Sequence, residues 1–560
     1  MITENFNKLT KTYENKKSLL TSGNVDLIYF IGLFICWMLP GLIGHEPWKP
    51  DEAYSFGLIL HIYQTGDWVV PTLAGEPFME KPPIYYVISA LMVHLLSPLL
   101  SLPDAARLAS GIFMIITCSA ITGAARLTFE KGYGRWAAVV FLSCLGLCVR
   151  SHQMITDTAL LAGCSLGLFG LIASEKRCLI GGVYLAIGAA FAFLAKGLLG
   201  PGILGLTVFF AVLLFKQCRK KDFFIAIIVA SLIFISAVTP WLYALWQRSP
   251  ELFLTWLWDN NLGRFFGAND LGPKKGHFFY LYTLPWYAFP ALPLVFYYLY
   301  KKKNEMYSFG LKASLLYFII TFFVLSASSD ARELYALPML PPLAIIASGI
   351  AKNLRMKKVS TSVIILTVFF ALVLWAIGLL FAFGSACPWF IEVVTHYLPG
   401  FNAEFNPNLI FSALAATLFI CLALMQGLKK NMPDAYYFFC IITLVWSCIM
   451  TLGLPAIDYS KRYSDVFLSL KPYLKGNECL VSKGLGEPQR AMVEYYTGIK
   501  TKRVEMHGME HNCSLLLLQT SISSPSENNE DILWKGHRPA DDDEFYILYK
   551  LTAKTKGYLN

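Results

Sequence analysis

Apolar residues gather along the chain into runs of about twenty, separated by short charged segments. The runs begin near residues 26, 83, 105, 136, 158, 179, 200, 223, 278, 309, 331, 360, 408 and 434. A helix needs about that length to cross a hydrocarbon core of roughly 30 Å, whereas membrane β-barrels alternate in shorter segments. The pattern predicts an all-α polytopic membrane protein. After residue 456 it changes: charged stretches separate the apolar runs ECLVS, CSLLLLQTS and EFYILYKL, which read as short strands, and EPQRAMVEYYTG reads as an amphipathic helix between them. Residues 456–560 are thus expected to form a small α/β domain, with SSPSENNED as a loop.

Basic clusters decide which runs cross. Suppose residues 1–25 are a cytoplasmic tail and the run at 83–100 lies at the outer interface or re-enters. Then ARLTFEKGYGR, SEKR, KQCRKKD, YKKKN, AKNLRMKK and LKK all fall inside, as the positive-inside rule requires. Counting 83–100 as a span would move the first cluster outside. The expected layout is therefore about thirteen spans within residues 26–455. Segments 45–82, 150–157, 247–277, 328–335 and 385–407 lie outside with the 456–560 domain, and loops 45–104 and 247–277 carry the chemistry.

Composition agrees: 56% of the 560 residues are hydrophobic and 15% charged, with mean hydropathy +0.52, too apolar for a soluble domain. Lys and Arg number 47 against 37 Asp and Glu. This basic excess sits at helix ends, so nucleic acid is not an expected partner. The thirteen cysteines form no CxxC and mostly lie in apolar runs, as small hydrophobes do. Cys479 and Cys513 are the exception, able to pair if the tail is extracytoplasmic.

The outer segments hold the candidate chemistry. In WKPDEAY, Asp51 and Glu52 follow a proline at an expected helix start, where free amides favour negative charge. In FMEKPP, Lys81 precedes another such start, suited to a phosphate, with Glu80 to orient it. A plain interfacial loop with solvated charges is the competing reading. In ITDTAL, Asp157 reads equally as a helix cap or a site residue, and Lys196 of FLAKGLLGPG as a snorkelling helix end. The loop WLWDNNLGRFFGANDLGPKKGHFFYLYTLPWY is unusually basic for the outer face, with Arg264, Lys274, Lys275 and His277. SSDARELYALP adds Arg332, Glu333 and Tyr335. Acids and bases over an apolar bundle suit a lipid phosphate. The adjacent acids leave room for a divalent metal, although no ligand spacing demands one.

WKPDEAY, GDWVVPTL, FMEKPP, ITDTAL, AKGLLGP, NLGRFFG with KKGHFFYLYTLPW, and YALPMLPPLAI occur in this order over about residues 30–350. In this the chain resembles the GT-C fold glycosyltransferases that use polyprenyl-phosphate sugars, and among them the lipid A aminoarabinose transferase family. The resemblance implies an inverting transfer of sugar from undecaprenyl phosphate to lipid A or a related glycolipid at the periplasmic face of a bacterial inner membrane. It matches Asp51, Glu80, Lys81, Asp157, Arg264, His277 and Tyr335 to family site positions. With Glu52 as the carboxylate beside Asp51 and Arg332 as the replacement cation, Asp51, Glu52 and Asp157 are expected in catalysis and Glu80, Lys81, Arg264, His277, Arg332 and Tyr335 at the donor phosphate. The chain departs from the family where SDARELYALP replaces a Gly-Lys-Leu-Pro type sequence. A protein O-glycosyltransferase of the same fold and a lipid-linked sugar flippase are the alternatives; a flippase would carry charges near the midplane.

Overall fold

A computed structural model describes residues 26–267, 275–302, 308–355, 357–383, 388–402, 406–475, 479–507, 513–521, 531–541 and 544–551. The expected tail 1–25, Lys274 and most of SSPSENNED lie outside the described residues. The chain divides into two compact units. One comprises Leu42–Leu354, Cys387–Asn402 and Pro455–Asn560; the other Met1–Gly41, Arg355–Ala386 and Ala403–Leu454.

Among the described residues, nine helices are long and apolar enough to cross a membrane: Leu102–Thr128, Thr156–Ser174, Cys178–Lys196, Lys221–Arg248, Phe309–Ala327, Glu333–Ala351, Ile364–Phe381, Pro407–Lys429 and Asp434–Leu452. The other four expected spans fold as short or interrupted helices, so length alone gives nine crossings rather than thirteen. Asp26–Met38 and Leu199–Leu214 are short, as is Ile84–Leu96, which was not expected to cross. The run at 136 breaks into Gly134–Leu142 and Leu145–Arg150, and the run at 278 into Phe279–Tyr287 and Ala291–Lys301. The two breaks meet: the Leu145 N–H donates to the Phe289 carbonyl at 3.1 Å. Each interruption thus satisfies a backbone group that the other exposes, as an apolar environment demands.

In the first unit the Thr156–Ser174 helix is central, with 89% of its span window buried. It lies close against Cys178–Lys196 because small residues face one another. A Cβ at Gly188 would come within 2.2 Å of the Gly167 nitrogen, and one at Gly170 within 2.2 Å of the Leu185 nitrogen. Small interfacial residues of this kind let membrane helices approach to backbone distance. The first of these helices begins near Asp157 and the second ends at Lys196, so the tight hairpin brings these residues together at one end.

The tail belongs to the same unit. Naming its strands in chain order after a short hairpin, β1 (Thr72–Leu73) with β2 (Glu76–Pro77), the tail forms a five-stranded sheet. The strands are β3 (Leu480–Lys483), β4 (Thr501–Arg503), β5 (Leu515–Thr520), β6 (Ile532–His537) and β7 (Phe545–Lys550), in the order β4-β3-β5-β7-β6. β3 runs parallel to β4 and β5, and β7 antiparallel to β5 and β6. Helix Glu487–Thr497 makes the crossover that a parallel β3/β4 pair requires. Val481, Leu516 and Ile547 form the sheet's core with Cys513, which is joined by a disulfide to Cys479 just ahead of the neighbouring strands β5 and β3. In the second unit, Trp446 and Ser447 of the Asp434–Leu452 helix donate to the Pro40 and Cys36 carbonyls at 2.9 and 2.6 Å, closing the chain's first described segment onto its last apolar helix.

Candidate functional site

The loop of residues 45–82 turns into a helix at Asp51, directly after Pro50. Asp51 and Tyr54 are three residues apart and so share a helix face. Arg332 donates to both Asp51 oxygens, at 3.3 and 2.8 Å. Burial works to raise the Asp51 carboxyl, but the Arg332 guanidinium outweighs it and holds the group below its ordinary value. Asp51 is therefore ionised at neutral pH. Tyr54 accepts from Lys81 Nζ at 2.5 Å, and Lys81 also lies 3.9 Å from Glu80. Burial disfavours the Lys81 ammonium, yet Tyr86, Glu80 and Asp157 hold its pKa above the usual lysine value.

Beyond Lys81 opens a cavity of about 310 Å³. Its polar lining includes Glu80, Lys81, Lys196, Arg264, Asp330 and Tyr335, and its apolar lining Leu198, Leu199, Ile203 and Leu206 from the Leu199–Leu214 helix and the turn before it. Arg264 sits between two acids. Its Nε and Nη2 donate to Asp330 Oδ2 at 3.0 and 2.8 Å, while Nη1 is 3.5 Å from Glu80. Tyr335 donates to the same Asp330 oxygen at 3.1 Å, and Lys196 lies over the Tyr335 ring at 4.0 Å. Lys196 pairs with Asp157 and is mostly buried, so it is part of this cluster and not the snorkelling end expected of it. Nor does Asp157 cap its helix: the cap position is Ile155 and no side chain bonds there.

Two expected site residues stand elsewhere. Glu52 faces the loop wall, where Arg107 Nε and the Met154 N–H donate to one oxygen and the Trp48 N–H to the other. Burial would raise this carboxyl, but Arg107 and His45 outweigh it and hold it low. With its oxygens taken and its side chain only 1% exposed, Glu52 holds the loop's shape and has no free edge for a substrate. His277 is exposed, bonds the Ser326 carbonyl at 3.3 Å and does not line the cavity.

The sequence reading missed Tyr54, Asp330 and Arg107. Arg107 is fully buried and staples the loop by donating to Glu52, Asp104 and the carbonyls of Leu42, His45 and Glu46. The signal for it was present: a charged residue inside an apolar run demands an explanation. Among the described residues no cluster of three or more His, Cys, Asp or Glu is set to hold a metal.

A bundle of apolar helices, a charged cavity at its loop end and a small α/β domain packed on that loop together define the GT-C fold. Crystal structures of ArnT from Cupriavidus metallidurans, bound to undecaprenyl phosphate and in the apo state, match with TM-scores of 0.67 and 0.64. Each match covers 94% of this chain and 98% of that one at 16% identity, a likeness of fold alone. The apo Archaeoglobus fulgidus oligosaccharyltransferase matches more distantly, at TM-score 0.51 and 11% identity over 88% of this chain and 69% of that one. In sequence, the chain is 26% identical over 349 residues to the undecaprenyl phosphate-alpha-4-amino-4-deoxy-L-arabinose arabinosyl transferase of Serratia proteamaculans. It is also 26% identical over 348 residues to the enzyme of the same name from Edwardsiella ictaluri. These matches cover 60% and 58% of this chain; the chain spans about 60% of the length of the curated relatives it matches. No protein-family model matches the chain.

Proposed function

We propose that this protein is a glycosyltransferase that takes a sugar from undecaprenyl phosphate and transfers it to lipid A or a related glycolipid, at the periplasmic face of a bacterial inner membrane. The cavity carries this reading: its lining combines Lys81, Lys196, Arg264 and Tyr335 with the apolar side chains of Leu198, Leu199, Ile203 and Leu206. Cations beside an apolar surface fit a phosphate with a hydrocarbon chain. The ArnT structure bound to undecaprenyl phosphate, whose fold this chain shares, supports the choice of donor, and the relatives' names support the transfer.

In the mechanism, the glycosyl–phosphate bond breaks and leaves a dianionic phosphate. Lys81 and Arg264 are positioned to stabilise the charge that develops on it. Asp51 is already ionised and lies across Tyr54 from Lys81. For a hydroxyl acceptor it takes the proton as oxygen attacks the anomeric carbon; for a phosphate acceptor, already ionised, it orients the attack instead. One displacement inverts the anomeric centre. The periplasmic placement draws support from the Cys479–Cys513 disulfide, since such bonds persist in oxidising compartments. It also fits the basic opposite end, where Lys352 lies over Tyr133 beside Gly132.

The test is transfer from a synthetic polyprenyl-phosphate sugar to lipid A, read by mass spectrometry. Wild type is expected to add one sugar mass. Asp51→Asn should lose about 10²–10⁴-fold in rate with a hydroxyl acceptor, and Lys81→Ala about 10²–10³-fold. Undiminished transfer by Lys81→Ala would sink the phosphate assignment. An intact donor that appears across the membrane would instead identify a flippase.

A further inference from the structure

Asp330 carries a marked asymmetry. Its Oδ2 accepts three hydrogen bonds, two from Arg264 and one from Tyr335. Its Oδ1 is buried and has no hydrogen-bond partner among the described residues, in a side chain only 5% exposed that lines the cavity. A carboxylate that holds a guanidinium commonly uses both oxygens, as Asp51 does toward Arg332. A desolvated acceptor without a donor is costly, and such groups call for a specific explanation.

Charge narrows the missing donor. The cavity's cations suit the phosphate, whereas a carboxylate oxygen repels it, so the phosphate cannot satisfy Oδ1. What remains on a glycosyl phosphate is an O–H or N–H on the sugar ring. We infer that Asp330 reads the sugar: Oδ1 accepts a hydrogen bond from a ring hydroxyl or amino substituent, while Oδ2 keeps Arg264 and Tyr335 at the phosphate. This rests on the polyprenyl-phosphate donor proposed above and adds a specificity residue to it. The position falls in the SDARELYALP stretch, where the chain departs from the family it resembles.

The experiment uses full-length protein in lipid nanodiscs and three probes: undecaprenyl phosphate without sugar, a polyprenyl phosphate bearing an amino sugar, and one bearing the matching hydroxyl sugar. Asp330→Ala removes Oδ2 as well and so should weaken bare undecaprenyl phosphate through Arg264 and Tyr335, but it should weaken its preferred glycosylated probe at least about tenfold more, because a site built around a hydrogen bond discriminates strongly. Asp330→Asn keeps an acceptor oxygen and the volume, and thermal unfolding of both variants checks folding. If it spares the hydroxyl sugar, the partner is an O–H; if it loses the amino sugar, the partner is a charged N–H, whose bond to a carboxylate is the stronger kind. Equal loss for bare and glycosylated probes would reduce Asp330 to a holder of Arg264 and overturn the inference, as would no loss for any probe. Failure of wild type to bind bare undecaprenyl phosphate would instead overturn the donor reading beneath it.

Discussion

Asp51 and Arg332 form the site's sharpest single contact, and it sets a pH response. Burial alone would raise the Asp51 pKa, and Arg332 reverses that. In the proposed mechanism the reaction uses the Asp51 carboxylate, which is lost as pH falls through its pKa. In Arg332→Gln the pKa rises, so the acid limb of the kcat/KM profile should begin at higher pH, by about one unit or more. An unmoved limb would mean that Asp51 is not the essential carboxylate. Asp51, Glu80 and Lys81 were legible in the sequence because prolines mark the turns that present them. Asp330 was not, since its role depends on Arg264, which lies 66 positions away. Glu52 was misplaced for a related reason: sequence shows two adjacent acids, but successive helical positions point about 100° apart, so one meets the site and the other meets Arg107.

At the scale of elements, the hairpin of Thr156–Ser174 with Cys178–Lys196 sets where Asp157 meets Lys196. Gly188→Leu places a side chain where even a Cβ would lie 2.2 Å from backbone. It should cost about 1–3 kcal/mol of stability and reduce transfer by parting the ion pair. Gly205→Ala, with nothing within 4 Å of its Cβ, should be neutral or slightly stabilising. Thermal unfolding in detergent beside the transfer assay checks both, and equal melting of the two variants would refute the packing argument. Of the thirteen spans expected from run length, nine are long helices among the described residues, because hydrophobicity records how much apolar chain exists. It could not foretell the breaks at 143–144 and 288–290, because each is stabilised by the other. In the tail, β3, β5 and β7 were legible as apolar runs. β4, with its sequence TKR, and β6, with its alternation interrupted by a bulge, carry no such run.

At the scale of the molecule, the tail is bound to the loop of residues 45–82 by charge. Arg490 donates to Glu76 at 3.0 Å and to the Ala74 carbonyl at 3.4 Å; Arg503 joins Glu76, and Lys49 joins Asp541 and Glu544. Partners 414 positions apart leave no local pattern, so sequence gave the domain but not its seat. Burial would raise the Glu76 carboxyl, but Arg503 and Arg490 outweigh it and lower its pKa. A carboxylate lowered in the folded state contributes its full stability above its unfolded value of about 4.3 and loses it as pH falls further. Protease sensitivity of the tail should therefore rise below about pH 4, and Glu76→Gln should show it already at neutral pH. A tail equally resistant in wild type and variant would rule this clasp out.

The hydrogen bond from Leu145 to Phe289 ties these scales together. Because it joins two broken helices, it acts as a dovetail: neither segment can slide or turn without parting the joint. The short helix after the first break ends at Arg150, which pairs with Glu333 next to Arg332. A one-residue deletion in either broken run would turn that helix by roughly 100°. The damage would be felt not at the joint but in the aim of the guanidinium that holds Asp51.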